Sequence, residues 1–144
     1  MNCLICDRIA QIQSNANPYF VKELETGYVV LGDFQFYLGY TLFLSKEHVP
    51  ELHLMRQEFK LRFLNEMSRV AEAVYKAFTP DKLNYEMLGN SDAHAHWHIF
   101  PRYVREEGYG KPVWALDKSV RQKEDVRPQP HKREELKAAL LKHL

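Results

Sequence analysis

The sequence predicts a mixed fold in which antiparallel strand pairs accompany one long helix, and three observations predict it. Two extended segments, residues 19–22 and 28–31, flank a turn, which is the pattern of a β-hairpin. Residues 83–88 and 94–101 flank a Gly-Asn-Ser-Asp turn in the same way. Between the two pairs, apolar residues recur at spacings of three and four over residues 55–78, as the buried face of a helix requires.

Composition predicts one soluble domain. The chain has 144 residues, enough for a single domain with a real core, and 45% of them are apolar. A net charge of +1 gives no electrostatic reason to bind a nucleic-acid polymer or a membrane, so an anionic ligand must be held by a local site. The sequence begins without a charged leader and apolar core, and no 18-residue apolar run occurs in it. We therefore expect a cytoplasmic protein.

The two cysteines lie near the N-terminus as Cys3-x-x-Cys6, in a short helical segment that ends at the turn of residues 14–18. In a reducing compartment this spacing favours half of a zinc site or a redox pair over a structural disulfide. No strand-helix-strand pattern surrounds it to support a thioredoxin-like protein. Zinc needs two further ligands, and seven histidines can supply them. The alternative is two ordinary, half-buried thiols.

The segments between the hairpins predict a core and a candidate site. Residues 41–44 are typical of a buried strand, which delivers His48 just beyond its end. Asp33 follows the second strand and could accept hydrogen bonds from ligand hydroxyls, but its local pattern favours a simple turn. The helix of residues 55–78 is stopped by Thr79-Pro80-Asp81. Its aromatic and methionine stripe indicates core packing.

Three histidines alternate along the last predicted strand. In an extended chain His94, His96 and His98 would line one face, with the rings about 6 to 7 Å apart. Three interpretations stay open: a metal site built from alternate histidines, covalent catalysis by one imidazole at phosphorus, and a polar sheet face. Asn90 and Ser91 in the preceding turn would lie beside this ridge and could donate hydrogen bonds to a phosphate.

The C-terminal part differs in composition from the rest of the chain. Residues 113–116 form a small apolar patch that we expect to dock near the site or on a partner. Residues 117–132 are highly charged and contain Pro128 and Pro130. Residues 131–144 place leucines at spacing four, which predicts a terminal helix.

The segment His94-Ala95-His96-Trp97-His98-Ile99-Phe100 matches the pattern H-φ-H-φ-H-φ-φ, with φ apolar, and so resembles the histidine triad (HIT) family of nucleotide hydrolases and transferases. The likeness is greatest to bacterial members with an LGNSD-x-H-x-HWH-x-FPRY segment. It covers residues 1–116, which we expect to form the HIT domain, with residues 117–144 as a charged C-terminal extension. Further family features occur in the family's order: Cys3-x-x-Cys6, Asp33, Gly39-Tyr40-Thr41-Leu42, Lys46-x-His48, the long helix and Gly89-Asn90-Ser91.

The resemblance implies an α+β fold with a five-stranded antiparallel sheet, one long helix packed on it and a short N-terminal helix; the extension adds a C-terminal helix. It also implies a homodimer and hydrolysis or transfer at the α-phosphate of a nucleotide. In that chemistry His96 is the nucleophile and forms a covalent nucleotidyl-imidazole. His98 contacts phosphate and assists the leaving group, and His94 supports the nucleophile or coordinates a metal. The middle position suits a nucleophile, because a backbone carbonyl can fix one ring nitrogen and leave the other unprotonated.

The resemblance also assigns binding residues. Asp33 corresponds to a ribose-binding acid, and Asn90 and Ser91 to a turn that donates hydrogen bonds near the phosphate and the leaving group. Tyr40, in the substrate site, stands where many members have histidine, and Asn90 stands where many have glutamine. A tyrosine can donate a hydrogen bond but cannot be a cation near neutral pH. The zinc ligands of zinc-containing members correspond to Cys3, Cys6, His48 and His94, which implies a structural zinc ion, and no metal is needed at the reacting phosphorus.

The sequence therefore predicts a nucleotide hydrolase or nucleotidyl transferase that works through a nucleotidyl-histidine. Dinucleoside polyphosphates, such as a diadenosine polyphosphate, and nucleoside phosphoramidates are both candidate substrates. Two alternatives stay open. One is a zinc-dependent hydrolase with His94, His96 and His98 as metal ligands. The other is a nucleotide-binding or partner-binding module with weak or no catalysis, which Tyr40 favours.

Overall fold

A five-stranded antiparallel sheet organises the fold in the computed structural model, which describes residues 2–144. The strands are β1 (Phe20–Glu23), β2 (Gly27–Leu31), β3 (Thr41–Ser45), β4 (Lys82–Glu86) and β5 (His96–Arg102), and they lie in the order β1-β2-β3-β5-β4. The helices are α1 (Leu4–Gln13), α2 (Gln57–Phe78), α3 (Lys118–Arg121) and α4 (Pro130–Leu141). The predicted α+β class, with five strands, one long helix and a helix near each end of the chain, is confirmed.

The connection predicted for the second hairpin is too short. The strand expected over residues 94–101 begins at His96, and β4 ends at Glu86, so the connection is longer than the predicted turn of residues 89–93. The Ala95 amide donates to the Val49 carbonyl at 2.8 Å, in the loop that follows β3. His94 and Ala95 therefore serve a tertiary contact outside the β4–β5 ladder, which no local pattern could indicate.

The long helix covers one face of the sheet and forms the core that its periodicity predicts. Phe63 and Val70 of α2 are fully buried, and the Phe63 ring stacks on Phe43 of β3 with centroids 5.2 Å apart. Leu136 and Leu140 of α4 are buried in the same core. The last helix thus shares the hydrophobic core of the sheet, and the division at residue 116 into domain and extension stays a prediction.

The residues of β5 alternate between the two faces of the sheet. Trp97 and Ile99 pack with the core under α2, so His96 and His98 face the other way. On that second face α1 packs through Ile5. The face opposite α2 therefore carries the histidines.

No helix formed by residues 2–144 is long and apolar enough to cross a membrane. The cytoplasmic location and the homodimer stay predictions.

We expect Phe63→Ala to lower the free energy of unfolding by about 3 to 5 kcal/mol, because it removes a buried ring and leaves a cavity between α2 and the sheet. Urea denaturation followed by circular dichroism measures this. Leu61→Ala is the matched control on the same helix, since the Leu61 side chain is 56% exposed and its truncation should change the free energy by roughly 0.5 kcal/mol or less. Equal losses in the two variants would contradict this account of the core.

Candidate functional site

His96 and His98 meet through their outer ring nitrogens on β5. Their Nε2 atoms lie 3.1 Å apart, and their rings are edge-to-face with centroids 4.8 Å apart. The other nitrogen of His96, Nδ1, donates to the His94 carbonyl at 2.7 Å. At the far end of the row, the Tyr40 hydroxyl lies 2.7 Å from His98 Nδ1. These contacts form one continuous row of hydrogen bonds from the Tyr40 hydroxyl to a backbone carbonyl.

The carbonyl at the end of this row sets the direction of every bond in it. A carbonyl only accepts, so His96 carries its proton on Nδ1, and in its neutral form it presents a lone pair at Nε2. His98 must then donate through Nε2–H to that lone pair. A neutral His98 therefore has a bare Nδ1, which accepts from the Tyr40 hydroxyl. This assignment matches the expectation of a carbonyl-fixed middle ring, and it places the acceptor lone pair on His96 Nε2.

Burial keeps His98 and Tyr40 uncharged at neutral pH. Desolvation, with a smaller contribution from neighbouring His96, lowers the pKa of His98 to about 3. Desolvation is also the main cause that raises the pKa of Tyr40, and the negative charges of Asp33 and Glu86 act in the same direction. Tyr40 is therefore a neutral hydrogen-bond donor, and His98 is a neutral ring.

Tyr40 is held in place by aromatic packing and by a turn. Its ring stacks on Phe100 with centroids 4.1 Å apart and planes 13° from parallel. Gly39 precedes it at a φ of 96°, a conformation that favours glycine. A Cβ atom on Gly32 would collide with the Tyr40 ring, so this strand end also needs a glycine. The hydroxyl is thereby aimed at His98 by three separate constraints.

Four side chains from three parts of the chain converge beside His96. The ligand atoms of Cys3, Cys6, His48 and His94 all lie within 4.8 Å of one another. Cys6 Sγ lies 3.2 Å from His48 Nδ1 and 3.5 Å from His94 Nδ1, and Cys3 Sγ lies 3.6 Å from His94 Nδ1. The two Nδ1 atoms are 3.1 Å apart. A tetrahedral zinc ion has ligand-to-ligand edges of about 3.3 to 3.8 Å, so the four atoms fit one metal ion.

His94 has the protonation state that a metal ligand needs. Its Nε2 donates to the Ser45 carbonyl at 2.8 Å, which leaves a lone pair on Nδ1, the atom that faces the cluster. Desolvation is the main cause that lowers the pKa of His94, although the Ser45 carbonyl opposes it. The neutral ring is therefore favoured before any metal binds. The four residues predicted as zinc ligands are thus together and oriented to hold a metal.

The three histidines are not equivalent in the structure. Only His96 and His98 lie on β5, whereas His94 precedes the strand and its Nδ1 faces the cysteines. Among residues 2–144, the four-residue cluster is also the one group of three or more potential ligands that converges. The alternative in which His94, His96 and His98 bind a single metal therefore has no geometric support.

A cavity of about 380 Å³ reaches the Tyr40 end of this row, although neither His96 nor His98 lines it. Tyr40 and Trp114 line it and also contact His98, the Trp114 ring being edge-on at 5.6 Å between centroids. Its walls are mainly aromatic and aliphatic. They also carry three cations and one acid, Arg8, Lys118, Arg121 and Asp33. A flat apolar group with an anionic substituent fits such a lining.

Asp33 lies in this cavity wall, where Arg8 holds both of its carboxylate oxygens; Arg8 Nη1 donates to Oδ1 at 3.1 Å. Its role in ribose binding stays a prediction. Asn90 and Ser91 are exposed in the connection before β5. That connection is tied to α1, because the Leu4 amide donates to Asp92 Oδ1 at 2.9 Å.

Sequence reasoning did not select Arg8, Lys118 or Arg121 as site residues. Each is an ordinary charged residue in its local pattern, and only the packing of α1 and α3 brings it to the cavity. The apolar patch of residues 113–116 gave a partial signal. It was expected to dock near the site or on a partner, and its Trp114 contacts both His98 and Phe100.

Comparisons with known proteins agree on one family. A family model described as the HIT domain matches residues 13–105. Among curated proteins, the Bacillus subtilis (strain 168) protein named Protein hit is 30% identical over 130 residues, which span 87% of each chain.

Two solved structures share the fold. A hypothetical histidine triad nucleotide-binding protein from Sulfolobus tokodaii superposes with a TM-score of 0.72 at 20% identity, over 96% of this chain and 91% of its own. A Zn-bound histidine triad family protein from Mycobacterium smegmatis superposes with a TM-score of 0.68 at 22% identity, over 99% of this chain and 95% of its own.

We expect nitrogen NMR to find the proton on Nδ1 of His96 and on Nε2 of His98, with the His98 signals unchanged from pH 8 down to about pH 4. The pKa of a histidine in an unfolded chain is about 6.5, whereas burial lowers the pKa of His98 in the folded protein to about 3. Above about pH 6.5 His98 therefore has no effect on the free energy of unfolding. As the pH falls from about 6.5 towards 3, His98 lowers this free energy progressively, because the unfolded chain binds the proton first. Long-range ¹H–¹⁵N spectra give the tautomers, and urea denaturation at pH 7 and pH 5 gives the stability. A His98 ring that titrates near 6.5 would contradict this assignment.

Proposed function

Because the chain belongs to the histidine triad (HIT) family, we propose that it is a nucleotide hydrolase or nucleotidyl transferase that reacts at the α-phosphate. The observation that carries this proposal is the hydrogen bond from His96 Nδ1 to the His94 carbonyl. In neutral His96 it leaves Nε2 unprotonated, so this lone pair can attack once the hydrogen bond that it accepts from His98 moves to the substrate. The Sulfolobus relative, described as nucleotide-binding, supports a nucleotide as the ligand of the adjoining cavity.

The proposed reaction has two displacements at the same phosphorus. His96 Nε2 attacks the α-phosphorus, a nitrogen–phosphorus bond forms, and the bond to the leaving group breaks with its electron pair leaving on that group. The Nε2 atom of His98 lies 3.1 Å from the nucleophilic Nε2 of His96. Its N–H then donates to an oxygen of the phosphate or of the leaving group instead of to His96. Water then attacks phosphorus, the electron pair returns to Nε2, and a proton is released to solvent. An alcohol in place of water gives transfer.

Substrate binding is proposed to use the cavity beside this row. Its aromatic wall, which includes Tyr40, Phe100 and Trp114, suits the base. Asp33 can accept from ribose hydroxyls while Arg8 holds its carboxylate in position. Asn90 and Ser91 supply donors at the phosphate end.

A nucleotide-binding module without turnover is the second candidate, and Tyr40 favours it. A tyrosine cannot carry a positive charge near neutral pH, and the raised pKa of the buried Tyr40 hydroxyl means that it does not readily give up its proton. A reaction that needs a charged residue here would fail, although binding would persist. The covalent intermediate on His96 separates the two candidates, since a binding module forms none.

We also propose that the cluster of Cys3, Cys6, His48 and His94 binds a structural zinc ion. The donor set of two thiolates and two imidazoles suits Zn²⁺, and the Mycobacterium smegmatis relative is Zn-bound. The ion would tie the start of α1 to the loop after β3 and to the residue whose carbonyl holds His96. It would hold the nucleophile in position, while the phosphate chemistry remains with His96 and His98.

We expect His96→Ala to lower kcat by on the order of a thousandfold or more on any nucleotide that the wild type turns over, since the nucleophile is lost. Acid-free rapid quench and mass spectrometry of the wild type should find a nucleotidyl adduct on the peptide that contains His96. His131→Ala is the control, because His131 is exposed on α4 far along the chain. Full turnover in His96→Ala would refute covalent catalysis by this residue, and binding without turnover or adduct in the wild type would support the second candidate.

We expect purified protein to contain one zinc ion per chain and His48→Ala to lose it, with a fall in stability of more than about 2 kcal/mol. His48 is exposed, so without a metal its truncation should have almost no effect. Metal analysis and thermal unfolding with and without a chelator measure this. His53→Ala, another exposed histidine, is the matched control. A chelator that abolishes activity while the protein stays folded would instead point to catalytic zinc.

A further inference from the structure

Arg102 is a buried cation that the proposed reaction does not use. It follows His98 and Phe100 on β5 at a spacing of two, so it lies on the same face of the sheet as the histidines. Its side chain is only 2% exposed. A guanidinium buried this deeply is costly to desolvate unless its charge is paired and its N–H groups are bonded. Its partners therefore matter, and most of them lie in residues 103–112, here called the β5 loop.

Most of the hydrogen bonds of Arg102 go to the β5 loop. Its Nε atom donates to the Glu106 carboxylate, which also pairs with its charge. Its Nη1 atom donates to the Lys111 carbonyl at 2.9 Å and to Asn84 Oδ1 of β4 at 2.6 Å. Its Nη2 atom donates to the Gly108 carbonyl at 2.9 Å. The guanidinium therefore ties the loop to itself and to the neighbouring strand.

The β5 loop has few other attachments. None of its residues is buried or belongs to a helix or strand. Its beginning is held by the Tyr103 hydroxyl and by the Val104 amide, which donates to Asp81 Oδ2 at 2.8 Å. Beyond that point, in the described part of the chain, every hydrogen bond that joins residues 105–111 to residues outside the loop comes from Arg102. Arg102 therefore fixes the path of the loop.

The far end of the β5 loop leads into a buried cluster. Two residues after the Lys111 carbonyl, Val113 is fully buried and packs with Tyr37 and Phe100. The Arg102 guanidinium lies 5.0 Å from the centre of the Tyr37 ring, where the face of an aromatic ring attracts a cation. Arg102 thus contacts both the backbone that leads to Val113 and a ring of the cluster that Val113 joins.

Trp114 follows Val113 and contacts His98. Its ring lies edge-on to the His98 ring at 5.6 Å and to the Phe100 ring at 6.0 Å between centroids. It is 42% exposed, so burial holds it less firmly than Val113, although its Nε1 also donates to Glu86. The placement of Trp114 beside His98 therefore depends on where the β5 loop ends.

We propose that Arg102 is a positioning residue for the nucleotide site: by holding the β5 loop it sets Trp114 against His98, although Arg102 itself does not line the cavity. This inference rests on the proposed function, in which Trp114 belongs to the wall that binds the nucleotide. The tautomers of His96 and His98 are set separately, by the His94 carbonyl. Loss of the Arg102 contacts should therefore weaken nucleotide binding and leave the row of hydrogen bonds intact.

A planar fork of donors suits the acceptors around Arg102. A carboxylate, a side-chain amide and two backbone carbonyls surround the guanidinium, whose N–H donors lie in one plane. A lysine in its place keeps the charge but has one compact ammonium, so it cannot reach all of these acceptors. Arg102→Lys is therefore expected to free the loop without leaving the Glu106 carboxylate as an unpaired charge.

The test combines titration calorimetry with NMR of the His98 ring. The ligands are the monophosphates of adenosine, guanosine, cytidine and uridine, and the one that the wild type binds most tightly is used throughout. The proteins are the wild type, Arg102→Lys, Trp114→Ala and the double variant. Arg105→Gln is the matched control, since Arg105 is an exposed arginine of the same loop and lies over the Tyr103 ring within that loop.

We expect Arg102→Lys to weaken nucleotide binding by roughly tenfold at unchanged stoichiometry, because Trp114 is displaced in every folded molecule. A purely structural role would instead lower the stoichiometry, since unfolded molecules bind nothing, and leave the Kd of the folded molecules unchanged. Displacement of the Trp114 ring should also shift the carbon-bound proton signals of His98 in the direction seen in Trp114→Ala. Arg105→Gln should match the wild type in both measurements.

The double variant shows whether Arg102 acts through Trp114. If it does, the two losses overlap, and Arg102→Lys changes the Kd of Trp114→Ala by less than about twofold. A further loss as large as that in the wild-type background would mean that Arg102 acts by another route and would overturn the inference. An Arg102→Lys protein with wild-type Kd and wild-type His98 signals would overturn it too. Either result leaves the proposed chemistry of His96 standing.

Glu106→Gln is the second variant if Arg102→Lys does not fold. It keeps the shape of the acceptor and removes the negative charge that pairs with Arg102, so it should weaken binding and shift the His98 signals in the same direction by a smaller amount. Wild-type behaviour of Glu106→Gln in both measurements would then overturn the inference. A wild type that binds none of the monophosphates refutes nucleotide binding as proposed, and the His98 signals alone then decide whether Arg102 positions Trp114.

Discussion

The hydrogen bond from His96 Nδ1 to the His94 carbonyl, at 2.7 Å, is the interaction on which the rest of the site depends. A carbonyl cannot donate, so this one bond decides where the proton of His96 sits. Through the contact between the two Nε2 atoms it also decides the tautomer of His98, and through that the direction of the Tyr40 hydroxyl. One backbone atom thereby orders three side chains and places the acceptor lone pair on His96 Nε2.

His94 connects this row to the cluster of Cys3, Cys6 and His48. Its carbonyl holds His96, its Nε2 holds the Ser45 carbonyl and its Nδ1 faces the two cysteines. Any ion bound there restrains the backbone at His94, and with it the position of the His96 ring. Such an indirect restraint affects the alignment of the His96 ring with the substrate. Its loss would weaken that alignment but would leave the nucleophile in place.

Local patterns predicted the elements whose causes are local. Periodicity of three and four identified α2, and its core residues Phe63 and Val70 are fully buried. Alternation identified β5 and the face shared by His96 and His98. The same alternation began the strand at His94, whereas β5 begins at His96 and the Ala95 amide bonds to Val49 in a distant loop. Contacts across long sequence separations have no periodic signal, and resemblance to a known family, rather than spacing, named the partners of Cys3 and Cys6.

The cations of the cavity were missed for the same reason, yet their placement follows from the electrostatics of the row. Burial makes His98 and Tyr40 neutral, so these two side chains can offer hydrogen bonds but no positive charge to a phosphate. A buried cation there would be costly to desolvate. Arg121 in the cavity wall avoids most of that cost, because it keeps partial access to solvent and lies over Trp114. A tyrosine at position 40 and charged residues at 118 and 121 are therefore parts of one arrangement, in which tautomers are set inside and charge is supplied from the wall.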